Sequence, residues 1–363
     1  MRRGRRWLWL LATLSLSGCT TFVARQIERP GHAGGSFRSL DEMLLKMGFA
    51  RDTAELPDGV SMAYWIAPPR AYQIKQNFQS QPNGKRGNSF SFTMSFGDGP
   101  LKPSPIAIKG SVVLLHPWSM SGTAMMPWGL YFAAAGYKVV MPDLRSQGDS
   151  SRAPVGYGPR EAGDIAELVR DLQAKHRLPG PLYLLGASYG ATVALFAAPQ
   201  LPGLRGVMAL EPYANAADVI RRAPGSGLFG YKWLVRWITP GEINAAIARA
   251  SRKLDVDLEH VNPADALART SNCTLILRGN RDVLVSGEAL TALSRRSSRA
   301  SYVEVPGEGH LTLPLRAGRL VPPLLAWMHA LPDAGGPCPA FSLPPQAVSP
   351  QTSVSAPAEV EPR

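Results

Sequence analysis

The sequence predicts an α/β fold in which a mostly parallel sheet is covered by helices on both faces. The first observation is a series of short, uninterrupted apolar segments from Ser111 onward, each long enough for one buried strand. The second is that helical patterns separate these segments, as the crossover connections of a parallel sheet require. The third is a chain of 363 residues with 45% hydrophobic content, which is enough to bury a large core.

The individual elements follow from these patterns. The predicted parallel strands are Val112–Leu115, Lys138–Met141, Leu182–Leu185, Gly206–Leu210, Thr274–Leu277 and Tyr302–Val305. The predicted helices between and after them are Met126–Ala135, Arg160–His176, Ala191–Ala198, Gly287–Arg295 and Leu320–Leu331. Upstream, Val60–Ala67 and Phe90–Phe96 alternate in the strand manner with turn residues Pro82, Asn83 and Gly84 between them, and are predicted to form an antiparallel pair at a sheet edge.

The chain divides into a core and several additions. The core is predicted over residues 58–212 and 263–331, interrupted by a helical cap over residues 213–262. Residues 1–18 form a leader, and residues 19–57 are predicted to be a tether that contains a short helix at Leu40–Met47. Residues 332–363 are rich in Pro, Ser and Ala and are predicted to be disordered. The cap aromatics either shape a substrate pocket or pack the cap's own core; they are Phe229, Tyr231, Trp233 and Trp237.

The N-terminus has the pattern of an export signal. Basic residues at 2–6 precede the apolar stretch Trp7–Leu16, which is too short to span a bilayer, and small residues lead to Cys19. The run Leu16-Ser17-Gly18-Cys19 resembles the lipobox of bacterial lipoproteins, which implies that Cys19 becomes a lipidated N-terminus. In that family the second residue influences sorting, so Thr20 favours the outer membrane, facing the periplasm. The alternative is an ordinary secretory signal with an incidental cysteine.

Charge and cysteine content narrow the classes of partner. The formal net charge is +12, but four of the arginines lie in the leader and the other basic residues are scattered. Nucleic-acid binding is therefore disfavoured, and attraction to an anionic lipid surface is favoured. Cys273 and Cys338 either pair in an exported protein, or Cys273 is a small buried residue of a strand. Because no Cys/His spacing of the zinc type occurs, we predict no metal site.

The most informative motif is Gly186-Ala187-Ser188-Tyr189-Gly190. A buried strand precedes this motif and a small-residue helix follows it, which is the strand–turn–helix setting of a nucleophile elbow. The glycines allow a turn so tight that the serine hydroxyl stands at its tip. The motif predicts Ser188 as a nucleophile at the carboxyl edge of the sheet, where open α/β sheets bind ligands.

A serine nucleophile needs a base and an acid that orients the base. Among the six histidines, only His310 stands in a glycine-flanked loop directly after a predicted strand. For the acid, Asp282 follows the strand Thr274–Leu277 and lies between serine and histidine in sequence, as this arrangement requires. Glu211, at the end of the preceding strand, is the rival, and Glu308 lies too near His310 in sequence.

The oxyanion of an acyl-transfer intermediate needs two N–H donors. One is predicted to be the amide of Tyr189, which follows the nucleophile. The other comes from the loop that begins at His116; because Pro117 has no N–H, Trp118 is the expected donor. We expect His116 to hold this loop in place rather than to act as a second base.

From about Asp58 to Leu331 the chain resembles the α/β-hydrolases. The resemblance rests on the elbow, the His116–Trp118 loop, the two segments that carry Asp282 and His310, and the run Asp143–Ser150, in which Ser146 replaces the usual first glycine. It implies an eight-stranded, mostly parallel sheet with a small cap. The run Gly156–Glu161 is similar to serine esterases and peptidase-like hydrolases, a branch that includes acyltransferases.

The resemblance implies hydrolysis of a carboxylic ester or another acyl substrate through an acyl-enzyme, without a cofactor. Thioester or amide hydrolysis and acyl transfer use the same groups. A dehalogenase or epoxide hydrolase would place an aspartate at the elbow, so Ser188 argues against both. A lipoprotein that keeps the fold only as a binding module would be expected to have lost one of the three side chains, and all three are present.

Overall fold

The computed structural model describes residues 20–31, 38–82, 88–226, 238–333 and 335–343. The strands are β1 (Ala50–Glu55), β2 (Ser61–Ala67), β3 (Ile74–Pro82), β4 (Asn88–Phe96), β5 (Gly110–Leu115), β6 (Tyr137–Pro142), β7 (Leu182–Ala187), β8 (Leu204–Leu210), β9 (Cys273–Gly279) and β10 (Ala300–Val305). The helices are α1 (20–28), α2 (Arg38–Lys46), α3 (Met126–Ala134), α4 (Pro159–Ala174), α5 (Tyr189–Ala197), α6 (Ala216–Arg222), α7 (Pro240–Leu254), α8 (Ala264–Arg269), α9 (Gly287–Ser294) and α10 (Ala317–His329). Short 3-10 helices lie at Gly122–Met125, Ala198–Gln200, Ala223–Ser226 and Leu313–Leu315.

Eight strands form one sheet in the order β1-β2-β6-β5-β7-β8-β9-β10. The strands from β5 to β10 are parallel to their neighbours, whereas β1 pairs with β2 and β2 with β6 in the antiparallel sense. This topology confirms the predicted mostly parallel sheet. Because every βα loop leaves a parallel strand at its carboxyl end, the loops after β5, β7, β8, β9 and β10 all reach the same edge.

The sheet buries side chains on both faces because its central strands are apolar throughout. In β5, Val113 and Leu115 join the core cluster that contains the helices α4, α5 and α9, whereas Val112 and Leu114 join the cluster beneath α3 and α10. A strand whose residues alternate between two apolar layers reads as one continuous hydrophobic run. This is why these strands could be predicted from the sequence.

The predicted pairing of Val60–Ala67 with Phe90–Phe96 is wrong. The strand β2 pairs with β1 and β6, while β4 pairs with β3 in a separate two-stranded sheet. Both unpredicted strands have polar sequences, Ala-Arg-Asp-Thr-Ala-Glu in β1 and Ile-Lys-Gln-Asn-Phe-Gln-Ser-Gln-Pro in β3. Edge strands expose their side chains and therefore lack the apolar pattern that marks a central strand. Of the expected turn, Pro82 ends β3, and Asn83 and Gly84 lie outside the described residues.

The segment expected to be a tether is a docked helix over residues 20–28. Ala24 and Ile27 are buried in the core cluster on the side of α4 and α5. The Tyr157 hydroxyl donates to the Ile27 carbonyl at 2.8 Å, and the Gly31 N–H donates to Ser119 Oγ at 2.9 Å. Two apolar positions three residues apart suffice to dock a short helix, but they are too few to stand out among the polar residues around them.

Part of the segment expected to be a disordered tail is also held to the core. Cys338 forms a disulfide with Cys273 at the start of β9, and Phe341 and Leu343 pack against the cluster beneath α3 and α10. The covalent link fixes residues whose composition alone indicates disorder. Residues 344–363 lie outside the described part of the chain.

The described part of the cap consists of α6 and α7. The helix α7 begins with a capping box between Thr239 and Glu242 and buries one face that includes Ile243 and Ile247. The four cap aromatics and the leader lie outside the described residues. Within the described ranges, every helix is too short or too polar to cross a bilayer.

Candidate active site

Ser188 stands in a sharp turn between β7 and α5. Its φ of 52° and ψ of −115° are strained for a residue with a side chain. A Cβ at Gly186 would lie 2.1 Å from the Gly190 carbonyl oxygen, and one at Gly190 would lie 2.3 Å from the Leu115 carbonyl oxygen. Both glycines are therefore required by close backbone contacts. The Ser188 N–H donates to the Leu210 carbonyl at 2.7 Å, which ties the turn to β8.

The structure brings the three predicted triad side chains into one hydrogen-bonded chain. Ser188 Oγ lies 2.8 Å from His310 Nε2, and His310 Nδ1 lies 2.8 Å from Asp282 Oδ2. With the proton on Nδ1, the imidazole donates to Asp282 and accepts from the Ser188 hydroxyl. This tautomer is the one in which the histidine can take the serine proton.

Asp282 is built to remain ionised. Its side chain is fully buried, and its Oδ1 accepts from the N–H groups of Leu284 and Val285 at 2.7 and 3.1 Å. Burial alone would raise the pKa of Asp282, but the hydrogen bonds from His310 and from Glu211, together with the backbone donors, lower it to about 2. The carboxylate is thus held as the fixed negative partner of His310.

Glu211 takes a different place from the one predicted for a rival acid. It is fully buried at the end of β8 with a φ of 56°, and its Oε1 accepts from the Gly279 N–H at 2.7 Å. Burial, together with the adjacent Asp282 carboxylate, raises the pKa of Glu211 to about 10. As a carboxylate, its Oε2 would be a buried atom without a hydrogen-bond partner among the described residues. As a carboxylic acid, it donates to Asp282.

Because the pKa of Glu211 is raised and that of Asp282 is lowered, we expect the pair to hold one proton at neutral pH, on Glu211. Together with His310 they offer three atoms within 4.8 Å, close enough to be considered as ligands for a cation. Both imidazole nitrogens of His310 are already engaged, one by Ser188 and one by Asp282. The arrangement is that of a proton-transfer site.

The loop after β5 is held by side chains that the sequence placed in the family motifs. The fully buried His116 donates from Nδ1 to the Pro117 carbonyl at 2.8 Å and accepts at Nε2 from the Leu144 N–H at 2.9 Å. Burial lowers the pKa of His116 and keeps the ring neutral. Gln147 accepts from the Ser119 N–H at 2.7 Å. His116 thus links two loops, as expected.

The two predicted oxyanion donors are on adjacent segments of this edge. Tyr189 is the first residue of α5, so its N–H has no intrahelical acceptor. The Trp118 ring packs against the rings of Tyr189 and Tyr157, with centroids 4.9 and 5.0 Å apart. These contacts fix the Trp118 loop beside the start of α5.

The other described histidines lie elsewhere. His176 follows α4, His260 contacts Asp257 at 2.7 Å on the exposed cap surface, and His329 in α10 lies 3.2 Å from the Tyr137 hydroxyl. His32 lies outside the described residues. A cavity of about 450 Å³ lies at the opposite edge of the sheet; it is lined by Lys109, Tyr137, Pro181, Tyr183, Arg205, Met328, His329 and Asp333.

Sequence reasoning missed the proton on Glu211 and the contact of the N-terminal segment with the catalytic edge. The first could have been found from topology, since Glu211 and Asp282 follow strands that are successive along the chain, and successive strands of a parallel sheet are commonly neighbours. Two buried carboxyls that touch cannot both remain charged. For the second the sequence carries only the weak apolar spacing of α1.

Comparison with known proteins agrees with this architecture. A family model described as "Alpha/beta hydrolase family" matches residues 112–322. A 2-(acetamidomethylene)succinate hydrolase of Mesorhizobium japonicum is 30% identical over 210 residues, which are 48% of this chain and 72% of that protein. Among solved structures, an esterase of Pyrococcus furiosus is 17% identical with a TM-score of 0.55, and covers 83% of this chain and 99% of its own. A membrane phospholipase A, described as a bacterial virulence factor, is 16% identical with a TM-score of 0.52, and covers 91% of this chain and 100% of its own.

Proposed function

This chain belongs to the alpha/beta hydrolase family, and on that premise we propose that it is a serine hydrolase that cleaves carboxylic esters through an acyl-enzyme. The observation that carries the proposal is the continuous hydrogen-bonded chain from Ser188 through His310 to Asp282. Esterases and a phospholipase among the proteins of similar fold support an ester substrate. Thioesters and amides fit the same groups.

In the first half of the reaction, Ser188 Oγ attacks the ester carbonyl carbon while His310 Nε2 takes its proton. Asp282 keeps the imidazole in the required tautomer and stabilises its positive charge. The negative oxygen of the tetrahedral intermediate accepts from the N–H groups of Tyr189 and Trp118. The intermediate then collapses, the alcohol leaves with the proton from His310, and the acyl group remains on Ser188.

In the second half, His310 takes a proton from water, which attacks the acyl carbon. The second tetrahedral intermediate releases the carboxylic acid and returns the proton to Ser188. Glu211 is fully buried and takes no direct part in these steps. It acts through Asp282, because its proton hydrogen-bonds to that carboxylate while its other oxygen is held by the Gly279 amide.

We also propose that the protein is exported and lipidated at Cys19, with the outer membrane as its site and the periplasm as the side it faces. The leader pattern supports export. The Cys273–Cys338 disulfide adds an independent argument, because such bonds persist in oxidising compartments such as the periplasm.

Labelling with a fluorophosphonate tests the catalytic proposal. We expect the wild-type protein to be labelled and to hydrolyse short-chain esters, and Ser188→Ala to lose both properties while it keeps its thermal unfolding transition. Ser286→Ala, which removes only the cap of α9, is the matched control and should remain labelled. A folded wild-type protein that is not labelled would favour the binding-module alternative.

Fractionation tests the anchor separately. The wild-type protein should be found with membranes and incorporate labelled fatty acid, whereas Cys19→Ser should do neither. Unchanged fractionation of this variant would contradict lipidation at Cys19. A series of esters, thioesters and amides of increasing acyl length then ranks the substrates.

A further inference from the structure

The anchor and the esterase activity proposed above lead to a consequence for substrate choice. We infer that the anchored protein turns its catalytic edge toward the bilayer, and that its substrates are acyl esters of lipids held in that bilayer. The exposed surface around the triad therefore contacts the membrane to which Cys19 attaches.

The N-terminal segment that follows Cys19 reaches the catalytic edge at its carboxyl end. The buried carboxylate of Glu28 accepts from Lys253 of the cap helix α7 at 2.6 Å. On the other side, Gly31 is bonded to Ser119, the residue that follows the predicted oxyanion donor Trp118. The segment 20–31 thus bridges the cap and the loop after β5.

The proposed anchor residue directly precedes a docked helix. The described helix α1 begins at residue 20, and consecutive Cα atoms are about 3.8 Å apart. A lipid on Cys19 is therefore attached one residue from a docked helix rather than at the end of a flexible tether. Because α1 is fixed to the cap and to the loop after β5, the position of the lipid constrains which face of the protein meets the membrane.

Exposed apolar side chains occur in the loops that carry the site residues. Seven large hydrophobic residues are exposed in the described part of the chain, and three of them flank the site: Met120, Val283 and Leu311. Met120 lies two residues after Trp118. Val283 directly follows Asp282, and Leu311 directly follows His310. A fourth, Phe22, lies on α1 and is 60% exposed. Single exposed apolar residues are ordinary, but their concentration around one edge indicates a contact surface.

The charge on this rim suits an anionic bilayer. Arg281 is exposed beside Val283 and makes no ion pair with the described residues. The chain stays basic after removal of the leader, since the leader's four arginines account for only 4 of the formal net charge of +12. Basic side chains around an apolar rim are attracted to acidic headgroups while the apolar groups enter the interface.

The first test uses the lipidated protein in vesicles that contain phosphatidylglycerol. A flexible Gly/Ser linker of about 15 residues is inserted between Cys19 and Thr20. We expect the variant to remain on the vesicles and to keep its rate on a soluble short-chain ester, but to hydrolyse a fluorogenic acyl ester embedded in the same vesicles about tenfold more slowly. An unchanged ratio of the two rates would overturn the inference.

The second test changes the rim. Val283→Gln with Leu311→Gln is expected to lower the ratio of embedded to soluble ester hydrolysis by about tenfold, because both side chains lose their apolar contact with the interface. Ile108→Gln is the matched control; Ile108 is 52% exposed, comparable to the 47% of Leu311, but precedes the amino end of β5. Equal effects of the control and the rim variant would contradict the inference.

These measurements distinguish failure of this inference from failure of the esterase and anchor proposals. A wild-type protein that hydrolyses neither the soluble nor the embedded ester would contradict the esterase proposal. A wild-type protein that does not bind the vesicles would contradict the anchor proposal. If the rim variant instead converts a dimer to a monomer in solution without changing the ratio of rates, the rim is a contact between two copies of this chain, and the membrane assignment is wrong.

Discussion

The two edges of the sheet place positive φ values on different kinds of residue. At the carboxyl edge, the loops after four strands each hold a residue with a side chain at positive φ; these are Ser119, Ser146, Ser188 and Glu211, with φ between 52° and 62°. At the amino edge, the positive φ values at the start of β5 and before β6 and β8 fall on Gly110, Gly136 and Gly203, and only His176, before β7, has a side chain at positive φ among the described residues there.

The difference shows what each edge is for. Positive φ costs about 1 kcal/mol or more for a residue with a side chain, and nothing comparable for glycine. At the carboxyl edge each side chain is used: Ser119 accepts from Gly31, Ser146 bonds to Ala153, Ser188 contacts His310, and Glu211 accepts from Gly279. The three glycines of the amino edge contribute only the turn.

The largest expected effect is at the carboxyl edge and concerns activity alone. Asp282→Asn should lower kcat by about 10⁴-fold, because the amide no longer selects the imidazole tautomer that accepts the serine proton. Steady-state ester hydrolysis measures the loss, and Asp265→Asn, at an exposed position of α8, should have no effect. A loss below about tenfold would show that Asp282 is not the partner on which catalysis depends.

At the amino edge the expected effect concerns stability alone. In Gly110→Ala the new Cβ would lie 2.5 Å from the Pro181 carbonyl oxygen at a φ of 151°. We expect the free energy of unfolding to fall by about 2–3 kcal/mol, measured in urea, with kcat unchanged in the folded fraction. Gly163→Ala, which points into open space on α4, should instead stabilise the protein by about 0.5–1 kcal/mol.

Substitutions of Glu211 are expected to change both stability and activity. Its folded pKa of about 10 lies above the ordinary 4.5, so the folded state keeps a proton that the unfolded state has released between these values. The free energy of unfolding therefore falls as pH rises through this window, by up to about 1.4 kcal/mol per pH unit from this group. Glu211→Gln should remove this dependence and make the protein more stable than wild type at pH 8.

Urea unfolding at pH 6, 7, 8 and 9 measures the difference between the two proteins. Gln keeps a donor for Asp282 and an acceptor for the Gly279 amide, so its activity at pH 7 should stay within about tenfold of wild type. Glu211→Leu keeps neither and should lose about 100-fold in kcat. Parallel pH profiles for wild type and Glu211→Gln would show that Glu211 is ionised in the native protein.

The smallest expected effect is at Ser146. Glycine would relieve the positive φ of 62°, worth about 1 kcal/mol, but would lose the hydrogen bonds of Ser146 Oγ with the Ala153 carbonyl and amide at 2.7 and 3.0 Å, worth a similar amount. Ser146→Gly should therefore shift Tm by no more than about 2 °C. A larger destabilisation would mean that the bonds outweigh the strain.

Several features could be predicted because a local sequence pattern marks them. Central strands such as β5 and β7 could be found because both of their faces are apolar. The Ser188 elbow could be found because its two glycines and serine form a five-residue motif between a predicted strand and a predicted helix. The proximity of Asp282 and His310 to Ser188 follows from strand topology.

The remaining features depend on contacts that a single sequence does not display. The strand β1 is polar because it forms a sheet edge, and the docking of α1 rests on two small apolar contacts and on distant partners such as Tyr157. The Cys273–Cys338 pairing depends on the three-dimensional path of the tail. The proton on Glu211 is set by burial and by a neighbour 71 positions away, Asp282.

The proton shared between Glu211 and Asp282 also bears on how the reaction ends. With Glu211 neutral, the buried acid pair carries a single negative charge, which the imidazolium of His310 balances during each half-reaction. Once His310 is neutral again and the released carboxylic acid has lost its proton to solvent, that charge lies unbalanced beside the product carboxylate. In the proposed ester hydrolysis, the resting site thus repels its acidic product and favours its departure over its return.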